Sequence, residues 1–249
     1  MLRAVTFDLW ETLIHDVPDD EHRRRERRLA DIAAVLRRAG IDPDPAAFQN
    51  AHREVWIRMD AHWKIGRDLS TLEQTRLFLE IALGGPLNGR LPGAALDEAA
   101  ERYGDTLLHF PPRPADGAPE ALAHARDRGF RTALICNTGR TPGRVLRVIL
   151  GRLGLLDHFE TLCFSDELGI CKPDPDIFHR ALAPLGVRPD EALHVGDRPD
   201  LDLEGARAAG LRSVHLRRPG AAEGPADHVI PSLRDLPPLL DSLRRSGNS

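Results

Sequence analysis

The sequence predicts an α/β fold with an inserted all-helical segment, and three observations predict it. From Asp116 onward, strand-like apolar runs alternate with stretches of helical length, the pattern of βαβ units that build a parallel sheet with helices on both faces. Between about His15 and Arg113 there is helical periodicity and no convincing strand. Finally, four strand-like runs each lead into polar residues: Asp8 after Ala4 to Phe7, Asn137 and Thr138 after Thr132 to Cys136, Lys172 soon after Thr161 to Phe164, and Asp197 after Ala192 to Gly196. The carboxyl ends of parallel strands form the crevice where ligands bind, so these segments can converge on one pocket. With Asp202 they bring three carboxylates and one amine, a set that suits a divalent cation and a phosphoryl group.

Taken in order, Met1 to Trp10 reads as a strand rather than as a basic leader followed by a long apolar stretch. Asp19, Asp20 and Glu21 precede Arg23 to Arg38, which puts acids at a helix start and bases towards its end, as the helix dipole prefers. Within it, the Arg-rich stretch Arg23 to Arg28 reads as a solvated face. Phe48, His52, Val55, Trp56, Met59 and Trp63 recur at three- and four-residue steps and predict one apolar helix face. Ser70 with Glu73 is a capping box ahead of Leu72, Leu77, Phe78 and Ile81. A fourth helix is expected from Pro92 to about His109, and the proline-rich stretch 110–119 then reads as a return linker. Later helices are expected at about 117–129, 141–153, 174–186, 200–209 and 232–245, with Gly129, Gly154, Gly186 and Gly210 at their ends.

Composition narrows the function. With 249 residues the chain exceeds a typical single core, so a core plus a smaller unit is expected. Lys and Arg number 34 against 38 Asp and Glu, a net charge of −4 that gives no electrostatic case for nucleic acid as partner. A small-molecule substrate is the better default. No apolar run approaches a membrane span, and a soluble cytoplasmic protein is expected. Cys136, Cys163 and Cys171 are odd in number and lack CxxC spacing, which points away from a disulfide framework or a zinc site.

The residues at the strand ends carry a family resemblance. Asp8 with Thr12, Lys172 with Pro173, and Gly196-Asp197 with Asp202 stand in the order of the motifs of haloacid dehalogenase-like hydrolases, and the chain resembles that superfamily over nearly its whole length. The resemblance implies a Rossmann-like three-layer core with the strand beginning at Ala4 near its middle, formed by 1–15 and 114–249, and a mobile helical cap formed by 16–113. It also implies a magnesium-dependent phosphatase acting on a small phosphorylated metabolite. Asp8 is then the nucleophile, since a carboxylate can attack phosphorus in line and divide one hydrolysis into two steps. Asp8, the Trp10 carbonyl and Asp197 are expected to hold Mg2+, with Asp202 acting through a water. Lys172 is expected to neutralise a phosphoryl oxygen and screen Asp8, Asn137 and Thr138 to contact phosphate, and Thr12 to order the turn after Asp8 through its hydroxyl.

Two positions depart from the phosphatase pattern. Trp10 stands where relatives place the acid that protonates the leaving group, and Cys136 stands where many have Ser or Thr. Glu11 or His15 is a candidate substitute acid. An aromatic at Trp10 resembles 2-haloacid dehalogenases, whose halide leaves without a proton, but those relatives use no magnesium and lack the Gly-Asp arrangement. A catalytically weak binding or regulatory member is the third reading, opposed by the retained Asp8, Lys172, Asp197 and Asp202.

Overall fold

Strand β1 (Ala4–Phe7) is buried at all four positions because helices cover both faces of its sheet. In the computed structural model, which describes residues 1–218, 220 and 222–246, Val5 and Phe7 point to one face and Ala4 to the other, as alternation along a strand requires. The sheet holds six parallel strands in the order β5-β4-β1-β6-β7-β8, namely β4 (Arg131–Cys136), β5 (Thr161–Phe164), β6 (Ala192–Gly196), β7 (Arg212–Leu216) and β8 (His228–Ile230) around β1. On the Val5 side pack α5 (Ala118–Asp127), α6 (Gly143–Arg152) and α10 (Leu236–Ser246). On the Ala4 side pack α8 (Pro175–Leu182) and α9 (Glu204–Ala208). Each fully buried Leu or Phe in these layers contributes about 1.5–3 kcal/mol.

The expected central placement of the first strand holds, and so does the cap. A two-residue pairing of β2 (Ile14–His15) with β3 (Arg113–Pro114) closes the neck of an insertion made of α1 (Asp20–Arg38), α2 (Pro45–Trp63), α3 (Thr71–Ala82) and α4 (Gly93–Gly104). Its own core joins Ile32 and Leu36 to Phe48, Met59, Phe78 and Tyr103, with Phe48 and Phe78 edge to face at 5.0 Å. The capping box at Ser70 forms as expected, since Glu73 N donates to Ser70 Oγ and Ser70 N donates to Glu73 Oε2.

Some boundaries differ from expectation. The stretch read as one helix over 200–209 begins as a wide turn, Pro199–Leu203, before α9, because the amides of Asp202 and Leu203 both donate to Arg198 O. The helix expected up to His109 ends at Gly104 and tightens into a 3-10 turn, Asp105–Leu108. Trp56 is 42% exposed and leaves the apolar face of α2, where Ala51 takes the interior place. A short helix α7 (Ser165–Leu168) follows β5 directly.

The cap touches the core away from its neck as well. Arg67, in the α2–α3 connection, forms an antiparallel bridge with Ile170, Cys171 N donates to Gly66 O at 3.1 Å, and Gln74 Nε2 donates to Gly139 O at 3.0 Å. Gly66 has φ +70°, and a Cβ there would stand 2.8 Å from Asp174 Cβ, so the close approach requires glycine.

Candidate active site

The first strand delivers Asp8 to the crevice, where its amide donates to Val195 O at 2.9 Å. The turn that follows is closed by backbone: the amides of Leu13 and Ile14 donate to Leu9 O at 2.8 and 3.1 Å, and Glu11 adopts φ +57°. Thr12 is buried beside it with its hydroxyl near Asp8 but outside strict hydrogen-bond geometry, and the carbonyl of Leu9 is what visibly closes the turn. Thr12 still favours ionised Asp8 weakly.

Lys172 lies at the centre. Its ammonium, 1% exposed as a residue, stands 2.5 Å from Asp8 Oδ1 and 2.7 Å from Asp202 Oδ1. Burial opposes its charge, but Asp202 and Asp8 outweigh burial and hold its pKa above the ordinary lysine value. Asn137 clamps the same residue: its Nδ2 donates to Lys172 O and its Oδ1 accepts from Lys172 N, both at 2.9 Å. Asn137, expected to contact phosphate, therefore positions the lysine first and keeps one amide N–H in reserve. Thr138 also lines the cavity, and its amide donates to Ser165 Oγ at 2.8 Å.

Asp202 is an anchor with both oxygens engaged. Oδ1 takes Lys172 and His194 Nε2 at 3.2 Å, and Oδ2 accepts from Arg198 N at 2.9 Å. Nδ1 of His194 stands 2.8 Å from the Thr6 hydroxyl, which can donate to it and so leave the ring proton on Nε2. Burial raises the Asp202 pKa, yet Lys172 and His194 outweigh it and keep the group ionised well below the carboxylate range. Gly196 makes this packing possible, because a Cβ there would lie 2.3 Å from Asp202 Cγ.

Asp197 is half-buried, and its carboxylate has no comparable partner among the described residues. Burial, then the charges of Asp8 and Asp202, push its pKa up to about 7, while burial above all raises that of Asp8. One oxygen from each of Asp8, Asp197 and Asp202 can be chosen so that all lie within 4.8 Å of one another, and Asp8 Oδ2 is buried without any partner. An all-oxygen set with an unsatisfied carboxylate oxygen fits a hard divalent cation. Trp10 is half-buried against the sheet core and lines the same cavity. Cys136 is fully buried, and burial followed by Asp8 pushes its thiol up, so it serves as a small packing residue.

Sequence reasoning missed three residues here. His194 sits mid-strand within an apolar run, and Ser165 follows a strand without any motif. Asp68 comes from the cap and accepts from Ser165 Oγ at 2.5 Å across 97 residues of sequence. The proton donors proposed in place of Trp10 are also accounted for. The Glu11 carboxylate pairs with Arg218 Nη1 at 2.5 Å, and His15 Nδ1 lies 3.2 Å from Glu11 Oε2.

The cavity framed by these groups holds about 850 Å³ and extends from Asp8 and Lys172 to the cap residues Arg28, His52, Trp56 and Trp63. Within the described residues no helix is long and apolar enough to cross a membrane. Residues 2–210 match the haloacid dehalogenase-like hydrolase family. The chain is 33% identical to haloacid dehalogenase-like hydrolase domain-containing protein 3 of Homo sapiens, over 98% of this chain and 96% of that one. It is 32% identical to phosphoserine phosphatase of Thermus thermophilus, over 94% and 95%. Among solved structures it is similar to 2-haloacid dehalogenase of Pseudomonas syringae pv. Tomato DC3000, with a TM-score of 0.70 and 26% identity over 98% and 100% of the two chains.

Proposed function

Because the chain belongs to the haloacid dehalogenase-like hydrolase family, we propose that it is a Mg2+-dependent phosphomonoesterase acting on a small phosphorylated metabolite. The observation that carries this reading is the three-carboxylate cluster around one ammonium, with Asp8 Oδ2 left unsatisfied. Asp8, Asp197 and the Trp10 carbonyl would hold Mg2+, and Asp202, whose oxygens are engaged, would act through a water. The cation would supply charge to balance the carboxylates and the phosphate oxygens. Asp8 attacks phosphorus and the ester oxygen leaves, giving an aspartyl-phosphate; water then releases phosphate and restores the carboxylate. Lys172, held by Asn137, Asp8 and Asp202, offers a fixed positive charge to the phosphoryl oxygens. Residues 16–113 would serve as a lid that excludes water during transfer and opens for release.

A panel of phosphate esters with and without Mg2+ tests the reading. Turnover is expected with the cation and should disappear in EDTA; full activity in EDTA would reject the proposal. Trp10 and the likeness to a 2-haloacid dehalogenase favour a second reading, for which halide release from 2-haloacids without metal is the corresponding signature. Silence in both assays would leave a binding or regulatory role.

Trp10 also fixes an expected substrate trend. An indole cannot hand a proton to a departing alkoxide, and Glu11 is tied to Arg218. General acid assistance is worth about 10²- to 10⁴-fold, so kcat/KM should fall steeply as leaving-group pKa rises, with aryl and acyl phosphates ahead of sugar phosphates. A flat dependence would show that some other group supplies the proton, and Trp10→Asp should flatten a steep series.

Cation affinity should depend on pH through Asp197. Its folded pKa of about 7 lies above the ordinary value, so in the metal-free protein its protonated form favours folding at low pH. That contribution is lost as pH rises through about 7. A cation needs the ionised form, so Mg2+ binding must expel the proton below that pH. The thermal stabilisation given by a fixed Mg2+ concentration should therefore be larger at pH 8 than at pH 6. Equal shifts at the two pH values would contradict the assignment of Asp197 as a ligand.

A further inference from the structure

The Arg-rich start of α1 is not a solvated face throughout. Arg24 and Arg28 turn inward, 6% and 5% exposed, and both line the cavity that holds Asp8. Arg24 is neutralised by Asp16 at 2.6 Å. Arg28 is not: Nε donates to Tyr103 O at 2.7 Å, Nη2 to Thr106 Oγ1 at 2.8 Å, and Nη1 faces His52 Nε2 at 3.4 Å, all neutral groups. These contacts, with the Tyr103 ring 5.1 Å from the guanidinium carbon, orient the group and leave two of its five N–H groups without a hydrogen-bond partner among the described residues. Glu21 acts on Arg28 only from beyond ion-pair distance, and a buried charge without a paired counter-ion is costly.

Arg140 reaches the same wall from the core side. It stacks on the Trp56 ring at 4.7 Å, donates from Nη2 to His52 O at 3.0 Å, and has a buried Nε without a partner. No carboxylate among the described residues lies within ion-pair distance of Arg28 or Arg140. His52 stands between them, and burial followed by the charges of Arg140 and Arg28 pushes its pKa down to about 3. Arg28, His52 and Arg140 thus meet in one wall of the cavity that also holds Asp8, with Glu21 the one carboxylate of that lining whose charge acts on Arg28.

We propose that Arg28 and Arg140 form a seat for a second oxyanion, so that the substrate is a phosphomonoester carrying a carboxylate or a second phosphate at its other end. This rests on the phosphomonoesterase reading for the phosphate end only. The planar guanidinium of Arg140, placed over the Trp56 ring at 4.7 Å, suits two parallel hydrogen bonds to such a group. A neutral polyol phosphate would leave both charges without an anion.

Calorimetry with non-hydrolysable phosphonates in the presence of Mg2+ tests the seat without requiring turnover. 3-Phosphonopropionate should bind about tenfold or more tighter than 3-hydroxypropylphosphonate, as charge-assisted hydrogen bonds to one extra anion imply. In Arg140→Gln, and in Arg28→Gln if it retains a cooperative melt, the preference should fall below about threefold. Propane-1,3-bisphosphonate identifies the second group: tighter binding than the carboxylate points to phosphate, weaker or equal binding to carboxylate. Equal binding of the acid and the alcohol by the unsubstituted protein would overturn the proposal, as would a preference that survives substitution. If esters are hydrolysed without such a preference, only the seat fails; if the preference holds but no ester is hydrolysed, only the phosphatase reading fails. Failure to bind any phosphonate would remove both.

Discussion

Asp8→Asn is expected to reduce ester hydrolysis by on the order of 10⁴-fold or more, because removing the nucleophile of a covalent mechanism leaves only what binding and charge stabilisation provide. The amide keeps the shape of the side chain. Lys172 retains Asp202 at 2.7 Å, so its ammonium does not become an unpaired buried charge. The variant should unfold cooperatively, and that melt separates lost chemistry from lost structure. In the unsubstituted protein, beryllofluoride with Mg2+ should bind at Asp8 as a phosphoryl mimic, and the variant should not bind it. Robust turnover by Asp8→Asn would end the aspartyl-phosphate mechanism.

Lys172→Met should produce the largest loss of stability at the site. It removes the one ammonium between Asp8 and Asp202, which are 6% and 0% exposed. Breaking a buried pair from one side costs about 3–5 kcal/mol. The carboxyls can respond only by taking up protons, which raises their folded pKa values above the ordinary range. A raised folded pKa gives stability at low pH that disappears as pH climbs through it. In EDTA, the melting temperature of the variant should therefore fall further below that of the unsubstituted protein at pH 8 than at pH 5. Turnover should be lost as well, since the phosphoryl oxygens lose their fixed positive charge. A variant as stable at pH 8 as the original would show that the ammonium does not offset those carboxylates.

The strand ends were legible in the sequence because apolar runs followed by charged residues leave few places for the charge except an open sheet edge. Asp8, Lys172, Asp197 and Asp202 meet for that reason. What pairs with them across space was not legible. Asp68 reaches Ser165 through a tertiary contact that no local pattern encodes, and His194 looks like any interior strand position until Asp202 is folded onto it. Asn137 was legible as a site residue, but its two bonds to the Lys172 backbone depend on how neighbouring loops stack. Arg24 and Arg28 show a different limit. Their four-residue spacing leads on to Ile32 and Leu36 on the inner side of α1, so a directional signal was present. Charge alone points to solvent, and only a cavity beneath the helix reverses that inference.

The bridge between Arg67 and Ile170 ties the cap to the core beyond its two crossings at the β2–β3 neck, alongside the contacts of Gln74 with Gly139 and of Asp68 with Ser165. Ile170 lies two residues before Lys172, and Cys171 between them is bonded to Gly66. A cut at the neck alone therefore does not free the cap, because these contacts also join it to the core. A transplanted cap would have to bring a strand-like edge at this place and a glycine able to pass Asp174. Without them the polypeptide carrying the ammonium would lose its outer support. The short connection between α2 and α3 is thus one place where diversification of the cap is constrained by the core rather than by the cap's own packing.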